Sequence, residues 1–285
     1  MRYFRTKTRR KGVYLSVVGL AAMVAVAVVF MPGAARAGSQ VTTITSVPYT
    51  ICQSGTYALA SNLMLAEGTA ISICPGVGNV DLEGKGHTIT DNSPFSPADT
   101  GISVGDGAGH ITVRGFTLSL FGKGIYALNP FQDTLSSNKL VGSFFAGIEV
   151  NGGSGTIISG NTATQNVGFG IWLADEVGAT LPPIADTVKG NTATLNQTVG
   201  IEITGADNTV VSNTATGNTT AGIQITDYNG VPSANNTVVS NKATGNGTDL
   251  VDDNVPACYN GWGNNTFSTK NESNYSAVAT YGCIR

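Results

Sequence analysis

Once the first 37 of its 285 residues are set aside, this chain has almost no arginine, methionine or histidine. Arg114 and Arg285 are the remaining arginines, Met64 the remaining methionine, and His87 and His110 the histidines. That region holds eight basic and eighteen acidic residues, a net charge of −10. Such a surface repels phosphate backbones and anionic lipid, so nucleic-acid binding is excluded. One methionine and two histidines far apart in sequence leave few soft ligands for copper. There is no Ser/His/Asp arrangement, phosphate-binding loop or metal-spaced histidine cluster. Lysine, glutamate and leucine are scarce, and no segment after residue 37 is long and apolar enough to cross a membrane.

Glycine (37 residues), asparagine and threonine are abundant. That composition can mark a disordered chain. Here Val and Ile alternate with polar residues, which is the pattern of a half-buried strand instead.

The N-terminus reads as a leader. Arg2, Arg5, Lys7, Arg9, Arg10 and Lys11 precede an apolar run from Val13 to Phe30, followed by Pro32, Gly33 and Ala35-Arg36-Ala37. Basic start, apolar centre and small-x-small site predict a secretory signal peptide over 1–37; retention as a membrane anchor is the alternative. The expected location is secreted, periplasmic or cell-surface.

The remainder is organised by a repeat. GISV, GIYA, GIEV, GIWL, GIEI and GIQI begin at Gly101, Gly124, Gly147, Gly170, Gly200 and Gly222, and a degenerate DLVDD follows at Asp249. A period near 23 residues with strand-like units is the signature of a solenoid. Each repeat resolves into three short strands: Gly-Ile-x-x, then TIIS or TVVS, then TAT. Three strands per turn, stacked about 4.8 Å apart, make an all-β parallel β-helix of about eight to ten coils. The expected layout is capping coils over 38–100, repeats over 101–248 and a cap over 249–285. In this arrangement Asn138, Asn161, Asn191, Asn213 and Asn241 stack as a hydrogen-bonded, purely structural ladder.

The Gly-Ile strands, the Asn ladder and the segment Asn79–Ile89 resemble right-handed parallel β-helix proteins of the pectin-lyase-like superfamily, in particular its NosD-like bacterial branch. The likeness extends to Asp252-Asp253-Asn254, Cys258, Asn260, Trp262, Asn264-Asn265-Thr266-Phe267 and Cys283-Ile284. That branch implies copper handling, which the scarcity of soft ligands argues against. One solenoid carries many chemistries, so the resemblance specifies fold more than activity.

Cys52 and Cys74 lie 22 residues apart in matching strands, and Cys258 and Cys283 lie 25 apart. Stacking on adjacent coils brings such α-carbons to about 5 Å, within disulfide range. Of three possible pairings only this one closes single-coil loops. Both bridges are expected to lock terminal coils.

Enzymes of the superfamily work on the outer face of one sheet, here by resemblance the Gly-Ile sheet. Its outward positions read Ser103, Tyr126, Glu149, Trp172, Glu202, Gln224 and Val251. Aromatic faces with intervening acids suit sugar rings; an ordinary exposed sheet face has the same ingredients. Two inserted loops, Ala174–Ala185 with Asp175 and Glu176, and Asp227–Asn235 with Tyr228, are expected on one edge beside Trp172 and Glu202.

Glu149 and Glu202, two coils and about 9–10 Å apart, are the candidate catalytic pair, at the outer limit for an inverting hydrolase. Arg114 lies away from the groove. An outward Thr-x-Thr ladder (Thr162/Thr164, Thr192/Thr194, Thr214/Thr216) resembles ice-binding solenoids, but Lys139 and Lys242 interrupt it. The expectation is a monomeric polysaccharide- or surface-binding β-helix without cofactor or metal, calcium at the acidic loops being unsupported. A polysaccharide lyase, hydrolase or epimerase is the alternative.

Overall fold

The computed structural model describes residues 40–93, 96–175, 179–180, 182–227, 232–254, 258–272 and 283–285. The expected leader, Glu176 and Tyr228 lie outside them. Ser39–Arg285 form one compact unit. Among the described residues its strands make three sheets of ten, eight and ten members. Each coil between the first and the last gives one strand to each sheet, and those two give none to the eight-stranded one; Ala146–Asn151, Ile157–Ser159 and Thr162–Thr164 are one complete turn. All pairing between coils is parallel, so the chain is the parallel β-helix that its repeat predicts.

Register follows from the repeat. Ile125, Ile148, Ile171 and Ile201 stand directly above one another. With Ile71, Ile102, Ile223 and Leu250 they form one fully buried column of the core. Because side chains alternate across a strand, burying that column turns the next residue of every coil outward. The alanines of the TAT strands, Ala163, Ala193 and Ala215, form a second buried column flanked by half-buried threonines.

The repeated glycine has a packing cause. A β-carbon at Gly200 would lie 2.7 Å from the carbonyl oxygen of Gly222 and 2.6 Å from Asn218 Nδ2. At Gly170 it would meet Gly200 O at 2.5 Å and Asn196 Nδ2 at 2.8 Å. Backbone from the next coil and a ladder amide occupy that space, so no side chain fits.

The expected asparagine ladder is present. Asn161, Asn191 and Asn213 each accept from the backbone N–H and the amide of the residue one coil earlier, at 2.9–3.2 Å. Asn241 and Asn265 continue it. Two further ladders accompany it. One runs through Ser143, Asn166, Asn196, Asn218 and Asn246 and ends on Asp249. The other links Thr156, Asp186, Asn208, Asn236 and Asn260, with Asp133 at the equivalent turn below. The residue before each first-ladder asparagine is left-handed: Ser137, Gly160, Gly190, Ser212 and Ser240 have φ of +55° to +62°. Serine and glycine at these places tolerate the turn that aims the asparagine inward.

Both expected disulfides form, Cys52–Cys74 with α-carbons 5.0 Å apart and Cys258–Cys283 with α-carbons 5.4 Å apart.

Candidate ligand-binding face

The Gly-Ile sheet stacks its outward positions as the repeat predicts. Ser103, Tyr126, Glu149, Trp172, Glu202, Gln224 and Val251 are consecutive cross-strand partners. Tyr126, Trp172, Glu202 and Gln224 are half-buried, whereas Glu149 is fully buried. A second column, Lys123, fully buried Ala146 and Phe169, runs beside this stripe in the same register.

The two columns meet in a cavity of about 150 Å³ lined by Lys123, Phe145, Glu149 and Trp172. Lys123 Nζ lies 2.7 Å from Glu149 Oε1 and 4.3 Å from the centre of the Tyr126 ring. Phe169 stacks on Trp172 with ring centres 4.6 Å apart. The Trp172 indole N–H is buried and has no hydrogen-bond partner among the described residues. The cavity therefore presents the partly exposed Lys123 ammonium and the exposed Phe145 ring, with the Glu149 carboxylate and the Trp172 N–H buried behind them.

Further along the face lies a carboxyl group near neutrality. Burial, and then the carboxylate of Asp253, pushes Glu202 up to about 7. Burial likewise raises Asp253, with Asp252 and Asp227 adding, although a 2.8 Å hydrogen bond from Gln224 opposes the shift. Asp227 is exposed at the loop mouth, and Asp175 is raised by burial. Among the described residues no group of three or more His, Cys, Asp and Glu side chains is gathered as a metal site.

The two glutamates expected as a candidate pair have unlike surroundings. Glu149 and Glu202 are two coils apart, as expected, with Trp172 between them. Glu149, however, is covered and paired with Lys123, while Asp253 is the acid that faces Glu202. The sequence places Asp253 in the C-terminal closing motif beside Asp252, yet the two adjacent acids face opposite ways. Asp252 is fully buried and accepts from Trp262 Nε1 at 2.8 Å. Strand alternation carries that signal: inward Asp252 makes Asp253 outward.

The described parts of the two loops are anchored by hydrogen bonds. In the first, Thr180 donates its N–H (2.8 Å) and hydroxyl (3.2 Å) to Asn129, which follows the strand of Tyr126. In the second, Ser233 anchors the stem, donating to Thr226 O at 2.6 Å and accepting from Gly205 N at 2.9 Å. Val251, outward by register, is covered in a small apolar cluster with Phe169, Val199 and Ala221.

A larger cavity of about 330 Å³ opens elsewhere, lined by Glu83, Lys85, Arg114, Gly115 and Ser137. Its charges satisfy one another: Arg114 bonds Asp81 at 2.9 Å and also Glu83, which pairs with Lys85. It contains no aromatic platform. On the threonine sheet, Lys139 and Lys242 fall in the column of Thr162, Thr192 and Thr214 and limit the double threonine array to three coils.

The chain belongs to the right-handed β-helix family, whose description "Right handed beta helix region" matches residues 38–182 and 100–272, and it has the fold of the pectin-lyase-like superfamily. No curated protein matches the sequence significantly. Among solved structures it is similar to the periplasmic alginate epimerase AlgG (TM-score 0.60, 15% identity, 76% of this chain and 51% of that one). It is also similar to the Agl-KA catalytic domain (TM-score 0.61, 14% identity, 83% and 48%). A third is PfbA, a surface adhesin of Streptococcus pneumoniae (TM-score 0.55, 14% identity, 78% and 61%). The chain spans between about half and three-fifths of the length of these structures. At such identities the likeness is one of fold.

Proposed function

We propose that this protein is an exported module that binds a polysaccharide along the outer face of its Gly-Ile sheet. The observation that carries this reading is the in-register stripe Tyr126–Glu149–Trp172–Glu202 with the cavity beside it. Aromatic rings and paired polar groups on a rigid sheet hold a sugar by CH packing and hydrogen bonds at little cost in ordering. The two disulfides fit an oxidising compartment outside the cytoplasm. Fold neighbours that include an alginate epimerase and a surface adhesin lend support at the level of class. Electrophoresis of the protein through gels containing each of a panel of polysaccharides tests the reading: migration slows in at least one gel, and uniform mobility throughout refutes it.

A second reading, a polysaccharide-active enzyme, is favoured by Glu202. A carboxyl at about 7 beside a second carboxylate has the protonation behaviour that glycosidic acid/base chemistry uses. In this reading Glu202 is the acid and Asp253 its partner. Release of reducing ends or unsaturated products from the same panel, lost in Glu202→Gln, establishes it.

A further inference from the structure

We infer that the glycan this face accepts carries acetyl groups, and that one acetyl group seats in the cavity between Lys123 and Phe145. The inference rests on the proposal that the face binds a polysaccharide and concerns only which class it takes. The cavity shows a ligand two kinds of surface. Lys123, its side chain 23% exposed, shows an ammonium, and Phe145, 41% exposed, shows a phenyl ring. The Glu149 carboxylate is fully buried and the Trp172 indole N–H is buried, so neither is on offer.

An ammonium has three N–H donors. Glu149 Oε1 takes one at 2.7 Å, and the ammonium also lies 4.3 Å from the centre of the Tyr126 ring. A donor is left at the cavity, with an apolar wall beside it and no exposed acceptor among the lining side chains. The complement of such a surface is a group whose end accepts without donating and carries an apolar cap. In an acetyl group the carbonyl oxygen accepts from Lys123 and the methyl packs on Phe145. The size agrees, because a cavity of about 150 Å³ holds about five waters at liquid density. That is room for an acetyl group and the ring edge that bears it.

Other sugar substituents complement the cavity less well. A bare hydroxyl accepts from Lys123, but its own O–H finds no acceptor there and it brings no methyl to the ring. A carboxylate gains the ammonium only beside the Glu149 charge that already neutralises it. The net charge of −10 after residue 37 further opposes the approach of a polyanion. A free amino sugar meets Lys123 as a like charge. The same carbonyl and methyl occur in an N-acetylated amino sugar and in an O-acetyl ester, and the choice of probes separates these two sources.

The test is titration calorimetry with two matched pairs of probes. One pair is N-acetylated chitohexaose and cellohexaose, which differ only in the group on C2 of each ring. The other is O-acetylated glucomannan and the same polymer after alkaline deacetylation. The wild type binds the acetylated member of at least one pair about tenfold or more tightly than its partner, the effect of one hydrogen bond and one buried methyl. The pair that shows the preference identifies the acetyl group as amide or ester. Phe145→Ala removes the apolar wall and narrows the preference by about fourfold. Thermal melts establish that the variant is folded; if it is not, the wild-type preference decides alone. Three results overturn the inference while leaving the binding face in place. These are equal binding of both members of each pair, an unchanged preference in folded Phe145→Ala, and retardation by an unacetylated polysaccharide when neither acetylated probe binds. Uniform mobility in every polysaccharide gel, together with no binding of any probe, overturns the binding face itself.

Discussion

The ammonium of Lys123 lies 2.7 Å from the carboxylate of Glu149 on the neighbouring coil, and that carboxylate is wholly shielded from water. Removing one partner of such a pair strands a buried charge, whereas removing both does not. Lys123→Met is therefore expected to destabilise the protein by about 2–4 kcal/mol, and Lys123→Met/Glu149→Leu by less than the single change. Denaturant titration of the two variants and of Glu149→Leu gives the coupling directly. A double variant as unstable as the sum of the singles would show that the pair contributes nothing.

The repeated glycine provides a steric prediction with an internal control. Gly200→Ala places a methyl 2.7 Å from the Gly222 carbonyl and is expected to cost at least about 3 kcal/mol. Gly190 has open space around it and a φ of +61°, so Gly190→Ala costs only the left-handed strain, about 1 kcal/mol. Equal losses in melting temperature would contradict the packing explanation.

Stability should fall as pH rises through neutrality. Burial pushes Asp133 and Asp186 up to about 7, and burial with Asp253 does the same to Glu202. A carboxyl whose folded pKa is raised binds its proton more tightly in the folded state. Its contribution is fully present below the unfolded value of about 4 and is lost as pH rises to about 7. Asp249 acts oppositely at the acid end: burial raises it, but hydrogen bonds from Ser268, Asn246 and Thr269 outweigh that and lower it. Its contribution is lost as pH falls below about 4. The melting temperature is thus expected to be several degrees higher at pH 5 than at pH 8.

Asp186→Asn isolates one part of this slope. Asp186 Oδ1 accepts from Thr156 N, while Oδ2 is buried without a hydrogen-bond partner among the described residues. At the equivalent position one coil later, the Asn208 amide donates to Pro183 O at 3.2 Å. An asparagine at 186 supplies that donor without a titrating group. The variant should be more stable than the wild type at pH 8 and show a shallower pH dependence; an unchanged slope would exclude Asp186 as a contributor.

Much of this was legible in sequence because the chain repeats itself. One buried isoleucine per coil sets the register, and register alone places Tyr126, Glu149, Trp172 and Glu202 in one stripe. Cysteines one coil apart in matching strands had a single simple pairing. The second ladder carries an equally regular signal, an asparagine five residues after each of Asn161, Asn191, Asn213 and Asn241. The third mixes aspartate, threonine and asparagine, so residue identity hides it. Coverage was not legible. Nothing in the repeat says that Glu149 is buried, because its shielding involves Lys123, which lies immediately before the GIYA unit of the neighbouring coil. Asp253 was obscured by its adjacency to Asp252, whose partners Trp262 and Asn260 come from the next coil.

The central claim is that the Gly-Ile face, and no other, holds the ligand. Comparing affinity-gel retardation of Trp172→Ala with that of Thr192→Val/Thr194→Val on the threonine sheet tests it most directly, using the polysaccharide that slows the wild type. The account predicts that Trp172→Ala migrates as in a ligand-free gel while the threonine variant is retarded like the wild type. Full retardation of Trp172→Ala, or its loss in the threonine variant, would contradict it.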